Sequence, residues 1–384
     1  MYTARDLFSG RREIMTAIER NISNCYKQRG YTEISTPMLE EFSMFSGSNT
    51  PLDSKRTFKL IDDGEIMVIR PDSTAPIGRI VATKISDQPL PLRLRYSQEV
   101  LIAGSDCTET SQCGIELIGA DGIRADVELI ETAVAALDAA GAEGFKIELG
   151  HAGIFRNLIK DIPLTKEDTE RLRRAIEVKN TAEVNRVLDG YGGYETAAIR
   201  RLPRLFGGRE VFAQARELIL QPEAAEAVKY LESVYSMLED IGCGEYIMAD
   251  LALVNNMNYY TGVILGAYAE GSGERVLSGG RYDGLLEHYG KNLSATGFAV
   301  NLDALCRTLD REVKTVSDIM VWYAEGRAER AYSLSDELRR DGKTVELSTF
   351  ESLEKSISTA KDKGIPCLIA IDSDERYLKN GVDF

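Results

Sequence analysis

Apolar residues recur with helical spacing from the start of the chain. Leu7, Ile14, Ile18, Ile22 and Tyr26 stand four or seven apart, and Gly30 occupies a C-cap position, so residues 6–30 predict an amphipathic helix. The pattern then alternates in TEISTPMLE (32–40), a strand-like stretch ended by Pro37. Residues 57–71 predict a hairpin, with TFKLI and IMVIRP on either side of a DDGE turn. STAPIGRIVATKI (73–85) reads as a helix. Three more strands are expected at PLRLRYSQEVLI (91–102), QCGIELIG (112–119) and FKIELG (145–150). Between the last two, ADVELIETAVAALDAAG is a helix that Gly141 ends.

Residues 151–240 change character, being rich in Leu, Ala, Glu and Arg at helical spacing, with breaks near 190–193 and at Gly207–Gly208. They predict a mostly helical insert. Strand patterns resume at 247–254, 262–268 and 275–278; a helix is expected at 282–290, and GFAVNLDALCRTL (297–309) starts another. DREVKTVS (310–317) reads as a linker. Beyond it, strand and helix patterns alternate as βαβαβ, which predicts a small parallel α/β domain over 318–384.

A chain of 384 residues, 43% hydrophobic, can bury a large core and suggests two or three domains. Its net charge of -15 argues against a polyanion such as tRNA as the main partner, because nucleic acid is gripped through Lys and Arg. Small anions or a basic protein surface suit it better. The six cysteines are scattered without zinc spacing and read as buried, reduced thiols of a cytosolic protein. The opening MYTARDLFSGRREIM lacks the apolar core of a signal peptide, and no run of about 18 apolar residues suggests a membrane span, so a cytoplasmic location is expected. With only His151 and His288, far apart in sequence, neither a His-based metal site nor a His-centred triad is supported, and no cofactor is expected.

Four segments carry candidate chemistry. GYTEISTPMLE (30–40) is a helix–strand junction that a structural turn explains equally well. In IRPDSTAPIGRIVA (69–82), Asp72 beside Thr74 either caps the following helix or holds an ammonium group. Gln112 and Glu116, four apart on one strand, share a face. That face is either solvated or accepts hydrogen bonds from an ammonium and an imidazole N–H. LVNNMNYYTGVIL (253–265) and LSGGRYDGLLEHYG (277–290) bring Tyr259, Tyr260 and Tyr282, whose flat faces and polar tips suit an imidazole ring, with Gly279 and Gly280 allowing close backbone approach. A core tyrosine cluster with a turn is the plainer alternative.

Together these segments resemble histidyl-tRNA synthetase, a class II aminoacyl-tRNA synthetase. RPDST (70–74) is similar to its RPEGT segment, the 91–130 stretch to its second class motif plus QxGxE, and the tyrosine segments to its LVRGLDYYTG and GGRYDGL signatures. The resemblance covers roughly residues 1–310 and implies an α+β fold, an antiparallel sheet with flanking helices and the helical insert. It implies a dimer interface at 30–40 and a shortened anticodon-binding-like domain at the end. A histidine-like pocket of Asp72, Thr74, Gln112, Glu116, Tyr259, Tyr260 and Tyr282 follows from it.

The chain departs from that family where cations would meet ATP. The arginine of the second motif, counted without gaps from Tyr96, falls on Ile102; GFAVNLDAL places Ala304 at the arginine of the third; Asn255 replaces the arginine of LVRGLDYY, and Asn258 its aspartate. One lost oxyanion-type donor costs on the order of 100- to 1000-fold in rate. Arg93, Arg95 and Arg281 are the nearby candidates to compensate, although the first two precede the motif position. No catalytic residue is therefore assigned. A site that keeps recognition groups and loses catalytic cations reads as a sensor.

LGHAGIFRNLI (149–159) and the helices after it instead resemble the histidyl-synthetase-like regulatory subunits of ATP phosphoribosyltransferase. This second resemblance implies a short-form catalytic subunit as partner in a hetero-octamer, self-dimerisation through the class II core, histidine as feedback effector, and catalysis on the partner chain in the first step of histidine biosynthesis. The alternatives are an active histidyl-tRNA synthetase and a paralogue that senses an amino acid or tRNA.

Overall fold

A computed structural model describes residues 6–45, 56–104, 109–254, 259–309, 316–373, 375–379 and 382–383. The chain divides into two compact units, Met1–Arg311 and Glu312–Phe384.

The first unit opens with α1 (Ser9–Gln28), which buries Met15, Ile18, Ile22 and Tyr26 along one face and stops at Gly30, whose φ of 82° is open to glycine at no steric cost. The stretch expected as one strand breaks in two. β1 (Thr32–Glu33) runs parallel to β5 (Leu92–Leu101), whereas β2 (Leu39–Glu41) joins a separate three-stranded sheet. Pro37 offers no ladder N–H. The carbonyls exposed by the break are taken by Arg70, which donates to Thr36 O at 2.8 Å and Pro37 O at 3.1 Å. β3 (Lys59–Asp62) and β4 (Glu65–Ile69) form the expected hairpin over Asp63 and Gly64, both at positive φ, the geometry that favours Asp-Gly.

After α2 (Thr74–Lys84), β5 and β6 (Glu109–Ile118) pair over their full length, and α3 (Gly122–Ala140) leads to β7 (Lys146–His151). The helical insert holds α4 (Ala152–Ile159), α5 (Lys166–Glu177), α6 (Thr181–Val187), α7 (Tyr194–Arg201), α8 (Glu210–Leu218) and α9 (Pro222–Asp240), with a two-residue strand β8 (Phe206–Gly207). β9 (Ile247–Asp250), β10 (Val263–Tyr268), β11 (Leu277–Arg281), β12 (Ala295–Asn301) and α10 (Leu302–Thr308) complete the unit. Nine strands form one sheet in the order β1-β5-β6-β12-β11-β10-β7-β9-β8, antiparallel except at β1–β5 and β7–β9. This is the expected α+β architecture.

Four local expectations are corrected. The 247–254 strand ends at Asp250, whose carboxylate accepts from Ala252 N at 2.9 Å and turns the chain. The 275–278 strand lies further on, at 277–281, where it pairs with β10 and β12. Residues 282–290 form only a short 3-10 turn, Leu286–Tyr289, because Asp283 spends its carboxylate on Ala295 N and Arg281. Residues 297–301 are strand, zipped between β6 and β11; the helix starts only at Leu302, where Asn301 Oδ1 accepts from the N–H groups of Asp303 and Ala304.

One hydrophobic cluster joins α1, α3, the insert helices and one face of the sheet. A second lies around α2, β4 and β5 and includes Tyr96, Tyr259 and Tyr282. The second unit has the parallel strands β13 (Ile319–Tyr323), β14 (Val345–Leu347) and β15 (Cys367–Ile371), linked by α11 (Ala328–Arg340) and α12 (Leu353–Asp362). Two antiparallel strands that the sequence did not suggest, β16 (Glu375–Lys379) and β17 (Val382–Asp383), extend it. Among the described residues no helix is long and apolar enough to cross a membrane. Of the described cysteines, Cys25, Cys113, Cys243 and Cys306 are buried, as expected, and Cys367 is half-buried; Cys107 lies outside the described residues.

Candidate functional site

A pocket of about 230 Å³ opens on one face of the large sheet, at the small end of ligand pockets. Its floor is set by missing Cβ atoms. A Cβ on Gly114 would come within 2.5 Å of the Tyr96 ring, and one on Gly297 within 1.7 Å of Glu116 Oε2. Antiparallel register puts Tyr96 opposite Gly114 and Glu116 opposite Gly297, so each large side chain lies over a glycine on the next strand.

The carboxyl end of the pocket is built by β6 and the start of α2. Glu116 is buried and accepts from Thr74 Oγ1 at 2.8 Å and from the Tyr282 hydroxyl. Burial pushes its carboxyl up to about 8, against the two hydrogen bonds that favour the charge. The face shared by Gln112 and Glu116 is therefore not a solvated one at Glu116. Asp72 makes the helix-capping contact its sequence allowed and leaves its second oxygen at the pocket. Its Oδ1 accepts from Ala75 N at 2.9 Å as a helix cap, while Oδ2 lies buried beside the pocket with no hydrogen-bond partner. Desolvation raises this carboxyl to about 6. Buried Glu116 and half-buried Asp72, both with raised pKa values, form an end that a cation would ionise.

The aromatic wall comes from the tyrosine segments. Tyr259 stacks on Tyr282 at 5.2 Å and 8°, and Tyr260 meets Tyr259 edge-on at 4.8 Å. Tyr259 and Tyr282 are also core residues, so the cluster is packed interior and pocket wall at once. The segment that carries Tyr259 and Tyr260 is tied to the insert: Ala152 N donates to Gly262 O at 2.8 Å, and Arg156 donates to Tyr260 O.

The structure thus brings six of the seven expected residues, Asp72, Thr74, Gln112, Tyr259, Tyr260 and Tyr282, into the pocket lining, with Glu116 hydrogen-bonded just behind. Residues not foreseen as lining it include Ser73, Tyr96, Arg275, Ser278 and Asn301. Tyr96 was legible as a position on the same strand face as the glycine-paved floor. Arg275 was not, because only the β10–β11 register carries it there. It is the basic side chain among the described lining residues.

The three candidate compensating arginines are engaged elsewhere. Arg93 pairs with Glu128 at 2.8 Å, Arg95 with Glu33 at 2.7 Å, and Arg281 with buried Asp126 at 2.7 Å. None of them lines the pocket. Ala304 is buried in α10, and Ile102 follows the end of β5. Asn255 and Asn258 lie outside the described residues.

Comparison with known proteins agrees with this fold. Residues 3–305 match the family model for histidyl-tRNA synthetase. The ATP phosphoribosyltransferase regulatory subunit of Clostridium acetobutylicum is 38% identical over 366 residues, covering 92% of this chain and 90% of the relative. That of Bacillus mycoides is 32% identical over 374 residues, covering 94% and 89%. Among solved structures, an ATP phosphoribosyltransferase regulatory subunit/histidyl-tRNA synthetase from Bacillus halodurans superposes with a TM-score of 0.86 at 31% identity, over 97% of each chain. Histidyl-tRNA synthetase from Nostoc shares the fold, with a TM-score of 0.81 at 18% identity over 99% of this chain and 94% of that one.

Proposed function

Because this chain belongs to the family of ATP phosphoribosyltransferase regulatory subunits, built on the histidyl-tRNA synthetase fold, we propose that its pocket is a sensor for histidine and not an active site. The observation that carries this reading is the imbalance of the pocket. One end gathers Asp72, Thr74 and three tyrosines, with Glu116 hydrogen-bonded behind them, while Arg275 is the basic side chain among the described lining residues. Displacement at an α-phosphate develops negative charge that preorganised cations must meet. One arginine is a single cation where adenylation calls for several, and the positions of the family's motif arginines hold Ile102 and Ala304.

In this reading the ammonium and imidazole of histidine lie against Asp72 and Glu116, and the ring lies along the tyrosine wall. The chain works in the cytoplasm with a short-form catalytic subunit, in a hetero-octamer built on dimers of the class II core. It activates the partner and inhibits it when histidine is bound. Histidine can bias the assembly only by binding one of its states more tightly than the other.

The test is to mix the purified chain with a short-form catalytic subunit and measure association and phosphoribosyltransferase rate, with and without histidine. Association, activation and histidine inhibition are expected. Proteins that neither associate nor change rate would refute the role. Histidine-dependent ATP–pyrophosphate exchange by this chain alone would restore the synthetase reading.

A further inference from the structure

We infer that Arg275 holds the α-carboxylate of the amino-acid effector. The inference rests on the sensor reading above and assigns the residue that fixes the ligand's second pole.

The register of the sheet places it. Tyr96, Gly114, Ala299, Ser278 and Gly266 are successive partners across β5, β6, β12, β11 and β10. The Arg275 side chain lies at the end of this row, over Gly266; a Cβ there would stand 3.1 Å from Nε and 3.3 Å from Cδ. Glycine at 266 thus gives the guanidinium its path along the pocket face, beside Ser278. Glu116, Gly297 and Gly280 form the parallel row two residues along the strands, about 7 Å away. The pocket is therefore dipolar. Carboxyl groups define one pole and a guanidinium the other, which is the charge pattern of an amino acid with its ammonium and ring turned towards Asp72 and Glu116.

Arg275 also has protein partners. Its Nη1 stands 3.8 Å from Glu177 Oε1 at the end of α5, and its charge partly opposes the rise that burial gives the carboxyl of Glu148, the β7 residue paired with Gly266. Glu177 already accepts from Arg173 at 2.8 Å, a closer contact than the one to Arg275. A guanidinium carries five N–H donors in a fixed fork and can serve more than one carboxylate. The guanidinium also lies 5.8 Å from the centroid of the Tyr268 ring, so a ligand carboxylate would join a set of partners and not meet a free cation.

Isothermal titration of the full chain with histidine and with histamine, which lacks the carboxylate, tests the assignment. Histidine should bind wild type more tightly than histamine by roughly ten- to hundredfold, the range for a hydrogen-bonded charge pair. Arg275→Gln should lose that advantage while binding histamine as wild type does. Glu177→Gln should bind histidine at least as tightly as wild type. The assignment is overturned if Arg275→Gln binds histidine unchanged, if it loses both ligands equally, or if Glu177→Gln is weakened as much as Arg275→Gln. A wild-type chain that binds neither ligand would sink the sensor reading and this inference with it.

Discussion

Replacing Glu116 with Gln should remove a pH dependence of stability that the wild-type carboxyl imposes. The carboxyl is 1% exposed and meets Thr74 Oγ1 at 2.8 Å and the Tyr282 hydroxyl. Burial raises it from 4.5 to about 8 in the fold. Below 4.5 the group is protonated whether the chain is folded or not, and contributes no pH dependence. Between 4.5 and about 8 the unfolded chain releases the proton while the folded chain keeps it, so rising pH favours unfolding. Above about 8 the folded protein carries the full cost of the buried charge, roughly 5 kcal/mol at about 1.4 kcal/mol per pH unit. Gln is neutral throughout and nearly the same shape. Urea denaturation of wild type and Glu116→Gln at pH 5 and at pH 8.5 should show wild type losing several kcal/mol more than the variant as pH rises. Parallel profiles for the two proteins would refute the argument, because they would mean that Glu116 titrates alike in both states. A cationic ligand should also expel this proton, so its affinity should rise with pH up to about 8 in wild type and not in the variant.

Three further outcomes follow from the same geometry. Asp72→Asn keeps an oxygen for Ala75 N but removes the charge at Oδ2, so thermal melting should be nearly unchanged while calorimetric histidine affinity falls roughly tenfold or more. Arg281→Met leaves Asp126, itself 1% exposed, without the guanidinium 2.7 Å away, and urea unfolding should show a loss of about 3–5 kcal/mol. Gly297→Ala puts a methyl 1.7 Å from Glu116 Oε2 and 2.6 Å from Ile115 O; a loss of about 1–3 kcal/mol and of ligand binding is expected, and an unperturbed histidine titration would contradict the proposed floor.

Long periodic elements were legible in the sequence. α1 follows its apolar stripe to Gly30, and the β3–β4 hairpin turns on its Asp-Gly pair. The two-residue strands β8 and β17 were not, because so few positions sample no period. Residues 297–301 show the difficulty. Phe298 and Val300 alternate as a strand requires, but they run directly into the helical LDALCRT, and only pairing with β6 and β11 decides between the two. At the site, sequence placed Gln112 and Glu116 on one face but not Glu116 at 1% exposure, since alternation gives direction and not depth. The tyrosine signatures led to the pocket wall. Arg275 had no local signature at all: its place depends on Gly266 being opposite Ser278, a tertiary fact.

The chemistry of the pocket also says which part of it can respond to a ligand. Its floor is paired backbone in the middle of a nine-stranded sheet, and the glycines that make room there are backed by Phe298 O, Ile115 O and Gly297 O. Moving that floor would break ladder hydrogen bonds on both sides, which a small ligand cannot repay. The rim is different. The tyrosine loop hangs from α4 by the Ala152-to-Gly262 and Arg156-to-Tyr260 hydrogen bonds, and Arg275 reaches Glu177 on α5 at 3.8 Å. Both links run into the helical insert. If the pocket senses an amino acid, the differential affinity that regulation requires must therefore arise where the ligand meets the rim, through contacts that exist in one arrangement of loop and insert and not in the other.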